Sequence, residues 1–401
     1  MHFLVALVAA FSIGHVFRTL PAALAPSLTQ DLALDGWALG LYGGAFNVVF
    51  AMMQLPIGHA LDRVALRALV ASLLVAAALG AALTAVAGSL ATLLVAQALL
   101  GIGCSGLWLA CCVHVVRIRP QAEFAWITTV CAAAGSSGMF LTGTPLALAI
   151  LAFGWRTAML ALAIATLALL IMVLLAPAPG GTRPSPRAVA EPRAGFAALL
   201  AQPRIRAGVL LGLVSYGSLL AIRGLWVGPY LEHAHGLTAT VAGHVALLVS
   251  AVMIAAPLAF GHADRRGVAR RPMLGGGLTI AAASLLVLGL GAPGPVAATL
   301  LLVVFAASAS AFVLQYADLR AAAPPGQEGR ALSLINLAFL IGVAGCQIGG
   351  GALLAALPAA LAPAAAQGAV MAAMGALLLG AALSFLVLTR APQPGIGASR
   401  R

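Results

Sequence analysis

The sequence predicts an all-α polytopic membrane protein of twelve transmembrane helices, arranged as two pseudo-symmetric six-helix halves around a central cavity. Three observations predict it. Of 401 residues, 63% are hydrophobic and 7% charged, with a mean hydropathy of +1.09. A soluble domain carries roughly 25% charged residues, so this composition cannot supply a water-exposed surface. Apolar runs recur along the whole chain at the roughly 20 residues that one span needs. The arginines gather in every second loop, and the alternate loops are nearly bare apart from Arg156. That positive-inside pattern predicts an inner-membrane protein with both termini and the long central loop in the cytoplasm.

The first apolar run, "FLVALVAA", resembles a secretory signal but lacks a cationic n-region, and it is read as a retained first helix. Hydropathy and breaker residues place spans at 2–27, 37–61, 68–88, 90–115, 124–151 and 157–176. A second six follow at 207–231, 238–260, 273–291, 295–317, 331–356 and 364–389. Between the sets lies "APAPGGTRPSPRAVAEPRAGFAALLAQPRIR", whose prolines, glycines and arginines cannot cross a bilayer. The expected organisation is therefore an N-terminal half at 1–176, a cytoplasmic linker at 177–206 and a C-terminal half at 207–390. A cytoplasmic tail fills 391–401, and a short surface helix is expected near Phe196 to Leu200.

Several function classes are disfavoured by the same residues. The net charge of +12 does not form one face or stripe, which argues against nucleic acid. All 21 basic residues are arginine. The five cysteines have neither disulfide nor zinc spacing, and Cys111, Cys112 and His114 read as small packing residues rather than metal ligands. No paired carboxylates and no nucleophile–base set appear, so neither catalysis nor a cofactor or metal is expected.

The halves echo one another. "GHALDR" (Gly58 to Arg63) follows the second span and "GHADR" (Gly261 to Arg265) follows the eighth. Duplication of a six-helix unit is a transporter architecture, with substrate held at the midplane between repeats. The chain resembles the major facilitator superfamily along nearly all its length. Its loop motif G-x-x-x-D-R-x-x-x-R is matched by Gly58, Asp62, Arg63 and Arg67, and more loosely by Asp264, Arg265, Gly267 and Arg270/Arg271. "GWR" (Gly154 to Arg156) and "GPYL" (Gly228 to Leu231) fit habits of the same family. The resemblance implies alternating access, with Gly58, Asp62, Arg63, Arg67, Asp264 and Arg265 in a conformational latch. A carboxylate there can pair with arginine and with the positive end of a neighbouring helix. Two departures count against drug–proton exchange. Gln97 stands where the family often has an arginine in the fourth helix, and "GSSGMFLTGTPLALA" lacks the antiporter Gly-Pro step.

The nine acidic residues (Asp31, Asp35, Asp62, Glu123, Glu191, Glu232, Asp264, Asp318, Glu328) are expected in loops or near helix ends, Asp318 least firmly. Two arginines, Arg18 and Arg223, are expected inside the bilayer, at nearly matching distances ahead of Asp62 and Asp264. An arginine at the bilayer centre costs about 3 to more than 10 kcal/mol, so a compensating role is expected. In this superfamily the first and seventh helices face one another across the cavity. Two cations there point to an anion held by guanidinium forks, since those suit carboxylate and phosphate. "RTLPAALAP" is similar to the first-helix pattern of the organophosphate antiporters of the superfamily. His15, one turn before Arg18, is a candidate proton carrier or anion donor. Tyr42, Asn47, Trp226, Tyr316, Asn336 and Gln347 are candidate polar cavity residues, with helix–helix hydrogen bonding as the alternative for each.

These residues predict a monomeric secondary transporter of a small organic anion, coupled to a proton or a counter-anion. Efflux of drug-like or neutral amphipathic compounds, a non-transporting membrane sensor, and metal import remain as alternatives.

Overall fold

The computed structural model describes residues 2–118, 121–177, 199–324, 327–358 and 360–389, and among them only helices and short connections occur. The linker residues 178–198, with most of the expected surface helix, and the tail 390–401 lie outside the described residues.

Twelve helices are long and apolar enough to cross a membrane. The first six are α1 (His2–Leu32), α2 (Gly36–Arg63), α3 (Leu66–Ala85), α4 (Leu90–Ile118), α5 (Gln121–Phe153) and α6 (Trp155–Leu175). The second six are α7 (Pro203–His235), α8 (Ala239–Arg265), α9 (Arg270–Leu290), α10 (Pro295–Ala322), α11 (Glu328–Ala356) and α12 (Pro363–Leu388). Four are interrupted. A turn at Ser105 and Gly106 divides α4, and turns divide α5 into Gln121–Ser136, Gly138–Leu141 and Thr144–Phe153. A π-turn at Ile222–Trp226 widens α7, and a 3-10 turn at Ser310–Val313 tightens α10. The π-turn lies just ahead of Pro229, which has no N–H to offer the carbonyl of Leu225.

Several boundaries move outward from the expected ones, and two of them do so for a clear local reason. α1 runs on through Pro26 to Leu32, because its polar last turn is captured: Trp155 Nε1 and Arg156 Nη1 donate to Asp31 Oδ2 at 2.7 and 3.1 Å. Arg156 also donates to the Ala87 carbonyl at 3.3 Å and stacks on Trp155 at 4.2 Å. Gly154, at φ 78, makes the tight turn that delivers this pair. The one arginine that broke the loop alternation thus ties together the ends of α1, α3 and α6. α10 runs past Asp318, which is buried within the helix and receives Arg204 Nη2 at 2.6 Å. The acidic residue is therefore not in a loop; an arginine at the start of α7 compensates it.

The end of the bundle that carries the arginine-rich loops is called the basic end here, and the opposite one the far end. Close approaches between the two six-helix bundles collect in the far half. A Cβ on Gly40 of α2 would lie 2.7 Å from the Gln347 carbonyl and 2.9 Å from Gly351 of α11. A Cβ on Gly143 of α5 would stand 2.9 Å from the Gly243 carbonyl of α8, and one on Gly228 of α7 would stand 2.8 Å from the Ala22 carbonyl of α1. Small residues let helix backbones approach where no hydrophobic force drives them together. α1 meets α7 through the π-turn and Val227–His235, and α5 meets α8 through Gly138–Leu141 and Thr144–Phe153.

Candidate substrate site

Arg18 stands midway along α1, half-buried. Its Nη1 reaches the Tyr216 hydroxyl of α7 at 3.5 Å, and its Cζ lies 5.1 Å from the Phe50 ring centre and 5.9 Å from that of Tyr216. Nε and Nη2 are buried and have no hydrogen-bond partner among the described residues. Those two N–H groups form the edge that a carboxylate takes side-on. A buried cationic donor left unfilled is costly, and a ligand oxygen pair relieves the cost. His15, one turn earlier, lies edge-on to Phe11 at 4.7 Å, and both of its ring nitrogens are likewise buried and unfilled. Among the described residues the salt bridges lie elsewhere, at Asp31–Arg156, Asp318–Arg204 and Asp264–Arg270.

Arg223 is placed differently. It sits in the π-turn at 0% exposure, and its side-on edge is occupied. Nε donates to Ser250 Oγ of α8 at 2.7 Å, and Nη2 donates to the Met139 carbonyl at 3.0 Å and to Thr142 Oγ1 at 3.1 Å, both on α5. Thr142 in turn shares a 2.7 Å hydrogen bond with Thr19, the neighbour of Arg18. In this conformation the expected two-arginine clamp is not assembled. Arg18 keeps its side-on edge without a partner among the described residues, while Arg223 joins the two bundles through neutral acceptors.

The other candidates divide in the same way. Asn47 Nδ2 donates to Gln347 Oε1 at 3.0 Å, tying α2 to α11. Tyr42 is fully buried on α2, and Trp226 is fully buried against Gly350. Tyr316 donates to Asn336 Oδ1 at 3.4 Å, and both are half-buried. Tyr216, Phe50, Thr142 and Ser250 were not indicated by the sequence. Tyr216 lies two turns before Arg223 on a helix already singled out, which was the available signal.

The loop residues show a division of labour. Arg67 donates to the Ala176 carbonyl at the end of α6, and Arg271 donates to Leu386 and Thr389 at the end of α12. Cations suit helix C-termini, and the two copies use them alike. Gly58 has open space around it, Arg63 is exposed, and the Asp62 side chain lies outside the described residues. Asp264 pairs with Arg270, at 2.6 and 3.0 Å, rather than with the exposed Arg265. Gly267, at φ 81, reverses the chain and brings Arg270 in the first turn of α9 back onto the carboxylate.

A dozen spanning helices in two bundles, closed on one another at one end around a polar midpoint, define a membrane transporter. A family model for the Major Facilitator Superfamily matches residues 3–346, and the chain belongs to that superfamily. A bacterial homolog of the human lysosomal transporter Spinster, inward-facing and unoccupied, is similar in structure with a TM-score of 0.80 at 18% identity, over 97% of this chain and 96% of that one. A D-xylose–proton symporter gives 0.79 at 14% identity over 96% of each chain. The nucleoside transporter NupG gives 0.77 at 11% identity over 98% of this chain and all of its own. No curated protein matches the sequence. Those identities speak for the fold alone.

Proposed function

We propose that this transporter moves a small organic anion across the inner membrane by secondary active transport, with both termini cytoplasmic. The observation that carries the reading is the buried Nε–Nη2 edge of Arg18, unfilled and free of any carboxylate partner among the described residues. Substrate exchanges its water shell for that edge, and His15 beside it supplies a further donor or a proton. The far end is closed and the anion enters and leaves Arg18 from the basic end, which corresponds to an inward-facing state. Opening the far end separates α5 from α7 and frees Arg223, whose fork then serves the anion in the opposite state. Asp264 with Arg270, and the equivalent loop at Asp62, bias the exchange between the two states, coupled to a proton or a counter-anion.

Counterflow in proteoliposomes tests this reading. Vesicles loaded with one unlabelled carboxylate or phosphate ester at a time should accelerate entry of its labelled form through the wild-type chain, and Arg18→Ala should abolish the effect. Accelerated entry of neutral compounds or quaternary ammonium dyes, with no anion active, would overturn it in favour of efflux of amphipathic compounds.

A further inference from the structure

Charge recognition leaves one wall of the central site unexplained. Tyr216 of α7, Phe312 and Tyr316 of α10 and Phe339 of α11 form a single ring cluster. Tyr216 lies 4.7 Å from Phe312 and 5.0 Å from Phe339, while Phe339 lies 5.4 Å from both Phe312 and Tyr316. Phe50 of α2 lies 5.1 Å from the Arg18 guanidinium carbon, and Tyr216 lies 5.9 Å from the same atom. Aromatic residues are only 6% of the chain, and five of them converge here. A cluster that served packing alone would be fully buried. Phe339 is, at 2% exposure, but Phe50, Tyr216, Phe312 and Tyr316 are only partly buried.

Arg18 stands next to this wall. Its Nη1 touches the Tyr216 hydroxyl and its Cζ lies 5.9 Å from that ring centre, so the cation that carries the unfilled Nε–Nη2 edge stands directly beside the ring cluster. Both bundles contribute to this neighbourhood, the first with the cation and Phe50 and the second with the ring cluster. An aliphatic acid would leave the ring faces of this wall without an aromatic partner. A flat ring laid against the Tyr216–Phe312–Tyr316 wall beside Arg18 makes the offset and edge contacts that aromatic groups favour.

We infer that the substrate is an aromatic anion, a carboxylate or similar acid on an aryl body, with the acid on Arg18 and the ring against Tyr216, Phe312 and Tyr316. This inference rests on the anion reading of Arg18 and narrows it.

Ligand-induced stabilisation of the full-length chain in detergent separates the two, since binding raises apparent stability by mass action. The probes are benzoate, phenylacetate and 3-phenylpropionate, each with its cyclohexyl counterpart, together with acetate, hexanoate, inorganic phosphate and benzamide. At least one aryl acid should bind more tightly than its cyclohexyl counterpart. That preference should shrink by about two- to ten-fold in Phe312→Leu and again in Phe50→Leu, the range expected from losing one aromatic contact. Equal binding of aryl and cyclohexyl acids by the wild type overturns the inference and leaves the anion reading standing. An unchanged preference in both variants overturns it too. Binding of benzamide as tightly as benzoate, or of no anion in the set, defeats the anion reading as well.

Discussion

Arg223→Leu should loosen the far end without unfolding the protein. Arg223 makes three hydrogen bonds, and two of them, to the Met139 carbonyl and Thr142 Oγ1, cross from the second bundle to the first. The third, to Ser250, stays within the second bundle. Hydrogen bonds between membrane helices are worth about 0.6 kcal/mol on average and at most about 1.7. The two crossing bonds therefore favour far-end closure by roughly 1–3 kcal/mol, a factor of about 5–150 in the equilibrium. Leucine keeps bulk and removes a buried cation whose acceptors are all neutral, so no buried charge is left without its partner. The assay is reaction of Ala242→Cys with a membrane-impermeant maleimide, in a background freed of the five native cysteines. Ala242 is 4% exposed and lines a cavity of about 160 Å³ between α1, α5, α7 and α8, where the two bundles meet. With the far-open state in the minority, the labelling rate tracks its population and should rise about 5- to 150-fold. Ser250→Ala should leave it near the wild-type rate. An unchanged rate in folded Arg223→Leu, or an equal rise in Ser250→Ala, would refute the argument that the crossing bonds hold the far end shut.

Gly40→Val should also open the far end, since its Cβ falls 2.7 Å from the Gln347 carbonyl where α2 crosses α11; the Ala242→Cys labelling rate reads this directly, and transport should fall. Asp264→Asn should slow transport while costing less than about 1 kcal/mol of stability, because the pair with Arg270 is partly solvent-exposed. Proteoliposome uptake and thermal denaturation of the same preparation check the two halves of that statement. Asp31→Asn should leave central-site affinity unchanged and weaken the junction of α1 with α6, seen as faster amide exchange in the last turns of α1.

What could be read in advance was what the solvent dictates locally. Bilayer thickness sets span length, so the twelve apolar runs and the arginine-rich turns between them were visible as pattern. Arg18 stood out for the same reason, as a charge where none is cheap. The breaks were less visible. The π-turn around Arg223 lies before a proline inside an otherwise apolar run, and the sequence left Asp318 between a loop and a helix end without pointing to Arg204 as its partner. Partnerships across elements were beyond the sequence. Nothing near Arg223 in the chain marks Met139 or Thr142 as its acceptors, and Tyr216, Phe312 and Phe339 come from three helices whose rotation is set by packing. The matching distances of Arg18 and Arg223 ahead of their loops suggested equal roles. In the folded chain the α5 carbonyl and hydroxyl beside Arg223 make the two unequal.

The central claim is that Arg18 binds the anion, and titration calorimetry of the best-stabilising acid against wild-type, Arg18→Ala and Arg18→Lys protein tests it most directly. Removing one partner of a desolvated charge contact costs roughly 2–5 kcal/mol, so Arg18→Ala should weaken binding by about 30- to several-thousand-fold. Arg18→Lys should recover only part of that, because an ammonium keeps the charge and loses the side-on fork. The neutral amide of the same acid should bind weakly and equally to all three. Arg18→Ala protein that folds and binds the acid with wild-type affinity would contradict the account and leave Arg18 as a helix-packing residue.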